Sequence, residues 1–439
     1  MDFRVEPAGA REAQVRVPGD KSISHRAVML GSLAEGTTEV SGFLPGEDCL
    51  ATLRAFRDMG VEIHQSDPTS VRIHGVGFQG LGAPPGPLDL GNSGTAMRLM
   101  CGVLAGQPFD TTLIGDESLS GRPMSRVIRP LELMGARIRS RDGLPPLEIA
   151  GGRSLAGIDY DMPVASAQVK SCVLLAGLFA AGETSVREPA VTRDHTERLL
   201  GAMGVEVFRR EGGHIGLSGG QRLKGVRIEV PGDLSSATFL ILAALLSDDA
   251  DVLIEGVGVN PTRTGVLEIL RGMGARLEVA NERMSGGEPL ADIHVRSSKL
   301  AGGDVDPALV PLAIDEFPAL FVAAAAASGS TRFSGIGELR VKESDRIAAM
   351  AAGLQTLGIQ VDESADGATV HGGRLTGGVV DSHGDHRIAM SLAIAGSIAE
   401  GPVLVRDVAA VDTSFPGFVP LCRSLGLAID YASGEGGQR

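Results

Sequence analysis

Six stretches of this 439-residue chain join helix-starting polar residues to groups that handle charge or protons. They read Asp20-Lys21-Ser22-Ile23-Ser24-His25-Arg26, Asn92-Ser93-Gly94-Thr95, Ser166-Ala167-Gln168, Asp233-Leu234-Ser235-Ser236, Asp315-Glu316-Phe317-Pro318 and Gly384-Asp385-His386-Arg387. Ser, Asn and Asp are preferred N-caps, and Pro suits the first turn. A helix N-terminus offers unpaired N–H groups and about half a positive charge, so several aimed at one place bind anions. Capping explains the Ser and Asp. It does not explain Lys21, Arg26, Arg98, Lys170 and Arg387 within the first two turns, where the dipole favours acids. A buried or bound anion would offset that conflict. Only five residues are Lys, at 21, 170, 224, 299 and 342, and the rest of the 40 basic residues are Arg. An ammonium has a movable pKa and can pass protons, which a guanidinium cannot, so Lys21 and Lys342 are candidates for acid–base work or phosphate contact.

The elements that must position these residues repeat. Met59-Gly60, Met134-Gly135, Met203-Gly204, Met273-Gly274, Leu357-Gly358 and Leu425-Gly426 recur at intervals of 68 to 84 residues, each followed by a strand-like run such as VEI or ARLEV. Apolar residues at helical spacing precede each phrase. About 30 residues earlier lies another apolar helix, then a short loop and a strand, as in "SLAEGTTEVSG" and "AAASGSTRFSG". The unit reads helix, strand, helix, strand, strand, six times over. One such unit cannot bury its own helices, so the units must pack together, and six suit two domains of three.

Composition narrows the function classes. Hydrophobic residues make up 43%, enough for a large core, and the formal charge is −14. Aromatics are 3% with no Trp. Stacking on bases needs aromatics and tracking phosphates needs net positive charge, so nucleic acid is not an expected partner. The longest apolar runs, Phe317–Ala327 and Ala237–Leu246, fall short of the roughly 20 residues of a membrane span. The start lacks the apolar stretch of a signal peptide. Cys49, Cys101, Cys172 and Cys422 are scattered without a CxxC and read as buried free thiols. These features predict a cytoplasmic protein without a membrane partner.

"PGDKS" at Pro18–Ser22 is not a phosphate-binding Walker loop, because Asp20 separates the Gly from the Lys. "GVGVNP" at Gly256–Pro261 lacks the last Gly of a dinucleotide loop. His383 and His386 have no matching third ligand and read as a structural pair. Seven other motifs stand in order: "GDKSISHRA", "LGNSGTAMRL", "GDESLSGRPM", "SAQVKS", "RDHTERL", "ELRVKESDR" and "GDHRIAM". Together, over about residues 15 to 420, they resemble the 5-enolpyruvylshikimate-3-phosphate synthases (3-phosphoshikimate 1-carboxyvinyltransferases). "SAQVK", "RDHTE" and "NPTR" are similar to the bacterial class II branch.

The resemblance implies an α/β fold of two domains, each of three βαβαββ units in an inverse barrel-like arrangement. It places one domain at 20–232 and the other at 1–19 plus 233–439, with the active site in the interdomain cleft. It implies transfer of the carboxyvinyl group of phosphoenolpyruvate to the 5-hydroxyl of 3-phosphoshikimate, with release of phosphate, on the route to chorismate and aromatic amino acids. No cofactor and no metal are implied; a monomer is. Glyphosate enters as a candidate inhibitor. Carried over by motif, Lys21, Ser22, Arg26, Ser166, Ala167, Gln168, Arg193, Asp315 and Lys342 would hold 3-phosphoshikimate. Lys21, Asn92, Gly94, Arg122, Gln168, Arg346 and Arg387 would hold phosphoenolpyruvate. Asp315 would be the base for the 5-hydroxyl and Glu343 the proton donor to C3, with Lys21 the third catalytic residue.

Lys342 and Arg346 are spaced i,i+4, so a helix would put them on one face. Positive neighbours would lower the pKa of Glu343 between them and desolvation would raise it. The sequence leaves that balance open. It departs from the family pattern at "AVDTSFP", where Thr413 and Ser414 stand in place of a Lys, and at Leu99, in place of a Pro. Two other functions fit less well. A UDP-N-acetylglucosamine carboxyvinyltransferase would carry a Cys in the loop "GDESLSGRPM", which has none. A non-catalytic clamp for phosphorylated metabolites would gain nothing from Asp315 and Glu343.

Overall fold

The computed structural model describes residues 1–432. The chain divides into two compact units. The first holds Gly19–Pro231 with Met284–Glu288. The second holds Met1–Pro18, Gly232–Arg283 and the chain from Pro289 onward. Each has its own hydrophobic core.

Three sheets of four strands form the first unit. In one, Glu35–Ser41 pairs in parallel with Arg227–Glu229 and antiparallel with Ser70–Val76, which pairs antiparallel with Glu62–Asp67. In the next, Thr111–Ile114 pairs with Leu88–Asp89 in parallel and with Leu144–Ala150 antiparallel. The third is built likewise around Glu183–Arg187. Against them pack the helices α1 (Lys21–Leu33), α2 (Gly94–Leu104) and α3 (Ala167–Gly177). Apart from their first residues these helices are almost wholly buried, as expected of helices apolar on every side. Their polar character is concentrated at their N-termini. There Asp20, Ser93 and Ser166 accept hydrogen bonds from the backbone N–H groups of Ile23, Ala96 and Val169.

The second unit has two four-stranded sheets and one of three strands. Its buried helices are α4 (Leu234–Leu246), α5 (Phe317–Ala326), α6 (Arg346–Thr356) and α7 (His386–Ser397). Asp233, Asp345 and Asp385 cap α4, α6 and α7 through Ser235, Ala348 and Arg387 N–H. Pro318 occupies the first turn of α5.

The Met-Gly and Leu-Gly phrases have one local cause. Gly60, Gly135, Gly204, Gly274, Gly358 and Gly426 all have φ between 87° and 101°, the left-handed region that only Gly enters without steric cost. Each follows a helix, and the next residue's N–H returns to a carbonyl five residues back, as in Val61 to Phe56 and Ala136 to Leu131, both 3.0 Å. This Schellman closure satisfies the helix's last carbonyls and turns the chain into the strand.

Two expectations are corrected. The segment "VKESDR" is not one helix: a 3₁₀ turn covers Gly337–Val341, and α6 begins only at Arg346. Asp345 caps α6 and needs extended backbone, so Lys342 and Arg346 do not share a helical face. Pro307–Ala326 also runs as 20 consecutive helical residues with the length and composition of a membrane span, longer than the sequence runs suggested. The run is mostly buried in protein, changes between 3₁₀ and α geometry, and carries Asp315 and Glu316 in its middle. It serves as a core segment of the second unit.

Candidate functional site

In the first unit the starts of α1, α2 and α3 meet. His25 of α1 faces the Ser93 cap of α2, with Nε2 3.3 Å from Oγ. Gln168 of α3 donates to Thr95 Oγ1 at 2.9 Å and accepts from Arg98 Nη1 at 2.8 Å, both on α2. Arg26 of α1 donates to Ser171 Oγ of α3 at 2.8 Å. Lys21, Ser22, Ser166, Ala167 and Gln168 are thus all carried on first turns that touch one another.

Gly94 opens α2, and a Cβ there would lie 2.8 Å from Arg98 Nη1 and 3.5 Å from Arg122 Nη1. Its bare backbone therefore lets two guanidinium groups close on a helix N-terminus, an arrangement suited to a phosphate or carboxylate. Arg122 is held by Asn92, whose Oδ1 accepts from Nη2 at 2.7 Å, and by Ser118 Oγ at 3.0 Å. Asn92 in turn donates to Asp116 Oδ2 at 2.7 Å. Arg98 is a base at a helix start to which the sequence assigns no ligand. Its place beside Gly94 and Gln168 puts it with the anion-handling residues.

Several of the unexpected bases are answered by the protein's own carboxylates. Lys21 Nζ pairs with Asp48. Lys170, 1% exposed, lies 3.1 Å from Glu188 and 2.9 Å from Glu197. Arg26 has an internal role. It is buried and donates to Thr196 Oγ1, the Ser22 carbonyl and Ser171 Oγ, so it fixes Ser22 and the α1–α3 contact. Burial pushes its pKa down to about 10 despite Glu197, Asp20 and Glu288, and half-buried Arg193 contributes in the same direction.

In the second unit the first turns of α4 to α7 are likewise tied together, here by charge. Arg346, fully buried, holds three carboxylates: Asp385 at 2.8 Å from Nε, Glu343 at 2.6 Å from Nη2 and Asp315 at 3.5 Å from Nη1. Burial acts to lower its pKa, but Glu343, Asp385 and Asp315 raise it above the usual arginine value. Burial likewise acts to raise Asp385, and Arg346 and His386 outweigh it, leaving that carboxyl below its ordinary value. Asp385 also accepts from Ser344 Oγ at 3.0 Å. Arg387 Nη1 donates to the Asp315 carbonyl at 2.9 Å and lies 3.8 Å from Glu316. Glu316 accepts from Ser235 and faces Arg263 at 3.6 Å. Asp315, Glu343, Arg346 and Arg387, expected in the site, are therefore one connected set. Lys342 precedes Glu343 in the bent link between the 3₁₀ turn and α6. Asp48 and Asp385 order the expected residues, and the sequence does not mark them as site residues. Only the spacing of Asp385 at a helix cap gave any signal.

The structure is that of a mixed α/β protein whose helix starts gather cations in both units and set three acids on one guanidinium in the second. That is equipment for an enzyme acting on anionic substrates. The sequence model of the EPSP synthase (3-phosphoshikimate 1-carboxyvinyltransferase) family matches residues 5–421. The chain is 58% identical over 438 residues to the 3-phosphoshikimate 1-carboxyvinyltransferase of Alkalilimnicola ehrlichii, covering 99% of this chain and 98% of that one. It is 59% identical over 431 residues to the enzyme of that name from Methylococcus capsulatus, covering 98% of each. Among solved structures, the EPSP synthase of Acinetobacter baumannii superposes with a TM-score of 0.90 at 54% identity, covering 98% of this chain and 99% of that one. The chain belongs to the EPSP synthase family.

Proposed function

We propose that this chain transfers the carboxyvinyl group of phosphoenolpyruvate to the 5-hydroxyl of 3-phosphoshikimate, in the shikimate pathway to aromatic amino acids. The reaction proceeds by addition and elimination. Glu343 protonates C3 of phosphoenolpyruvate while Asp315 accepts the proton of the 5-hydroxyl, whose oxygen bonds to C2. The C2–O bond to phosphate then breaks, C3 gives back a proton, and the enol ether remains. Atoms and electrons balance with protons and phosphate alone. Departure of the phosphate builds negative charge on the oxygen that leaves C2, which fixed cations and helix N–H groups stabilise more in the transition state than in the ground state.

In this reading Lys21, Ser22, Ser166, Ala167, Gln168, Arg193 and Lys342 hold 3-phosphoshikimate, and Arg26 positions Ser22. Lys21, Asn92, Gly94, Arg122, Gln168 and Arg387 hold phosphoenolpyruvate. Arg98 joins them, and Arg346 sets Glu343 and Asp315 in place. The sets on the two units serve one reaction. The chain acts as a cytoplasmic monomer, built from six βαβαββ units. The observation that carries the reading is the pairing of an acid and a base on Arg346, which a clamp for anions would not need. Phosphate release from phosphoenolpyruvate tests it. Turnover is expected with 3-phosphoshikimate and none with UDP-N-acetylglucosamine. Binding of both substrates without phosphate release would reject it.

A further inference from the structure

One sheet of the first unit carries three metal-ligating side chains that the reaction leaves unused. Glu62 and His74 are register partners across the antiparallel strands Glu62–Asp67 and Ser70–Val76. His64 lies two residues beyond Glu62 and so points to the same face. One ligand atom from each of the three lies within 4.8 Å of the others. Glu62 Oε1 and His64 Nε2 are 2.7 Å apart. The His64 and His74 rings meet edge to face with centroids 5.9 Å apart. On the other side of its strand His74 faces its register partner Thr37, with Nδ1 3.3 Å from Oγ1. That contact engages Nδ1 and orients the ring, which leaves Nε2 as the ligand nitrogen.

We propose that Glu62, His64 and His74 form a surface site for a divalent transition-metal ion, with water completing the coordination. Two imidazoles and a carboxylate suit borderline ions such as Zn²⁺, and a hard ion such as Mg²⁺ prefers an all-oxygen shell. All three residues stand on paired strands, so the sheet holds them in place before an ion arrives. None of the three belongs to the residues assigned to substrate, so binding and turnover are separable.

Calorimetric titration of the full chain with ZnCl₂, with MgCl₂ as the hard-ion control, tests the site. The expected result is one saturable Zn²⁺ event that is lost in His64→Ala and in His74→Ala and weakened roughly tenfold in Thr37→Val. Far-UV circular dichroism and phosphate-release turnover should stay unchanged in all three variants. No Zn²⁺ binding, or an isotherm that is the same in wild type, His64→Ala and His74→Ala, would overturn the proposal. So would equal binding of Mg²⁺.

Discussion

Arg346 shows how one buried side chain can carry several roles. A guanidinium with 1% of its side chain exposed is tenable only because Asp385, Glu343 and Asp315 surround it. Its fork fixes the directions of those carboxylates, and two of them are the proposed acid and base. Glu343→Gln removes the transferable proton and keeps shape and hydrogen bonding, while Asp385 and Asp315 still neutralise Arg346. Steady-state phosphate release should therefore show kcat reduced by ~10²–10⁴-fold with KM little changed. A change in KM alone would reject Glu343 as the proton donor. At this scale the sequence was legible in residue type and opaque in partnership. Bases at helix starts pointed to anions, yet Lys21 meets Asp48 and Lys170 meets Glu188 and Glu197. Those contacts join residues 18 to 27 positions apart on other elements, and no local pattern specifies them.

Elements were legible wherever their cause is local. Caps such as Ser93 and Asp385, and the six left-handed glycines that end helices, follow from the chemistry of two to five neighbouring residues. The i,i+4 reading of "VKESDR" failed because Asp345 is a better cap than a helix interior residue and starts α6 one residue later. Tertiary closeness is likewise hidden, and Gly102 is the clearest example. It reads as an ordinary residue of an apolar helix, yet a Cβ there would lie 2.2 Å from the Cys172 carbonyl oxygen of α3. Backbone meets backbone at that crossing, so no side chain can yield. Gly201, in the last turn of the helix His195–Ala202, has nothing within 4 Å of its would-be Cβ. Denaturant melts should find Gly102→Ala destabilised by at least about 1–3 kcal/mol and Gly201→Ala stabilised by up to about 1 kcal/mol. Equal effects from the two would mean that α2 and α3 do not pack this closely.

At the scale of the whole molecule, chain order alone does not say which residues share a core. Residues 284–288 form a Gly-Gly hairpin turn that reads locally as any other. They group instead with the first unit, where Glu288 pairs with buried His195 at 2.8 Å. Stability of the whole should also respond to protons through groups the fold has buried. His25 is fully enclosed, facing Thr52 and Ser93. Burial, then the charges of Lys21 and Arg26, hold its pKa well below the ordinary histidine value. In the unfolded chain it titrates near 6.5. As pH falls below that value the unfolded state takes up a proton that the native state refuses, so stability declines with acidification and is restored as pH rises. Depressed carboxylates such as Asp385 act in a lower window, since their contribution holds above about pH 4 and fades as pH drops through the folded value. Between pH 7.5 and 5.5 the histidine effect should dominate. Unfolding free energies measured by denaturant across that range should fall in the wild type. In His25→Asn the slope should be smaller by up to about 1.4 kcal/mol per pH unit, the value for one proton. An identical slope in the two proteins would show that His25 binds its proton equally well folded and unfolded, contrary to its place beneath the start of α2.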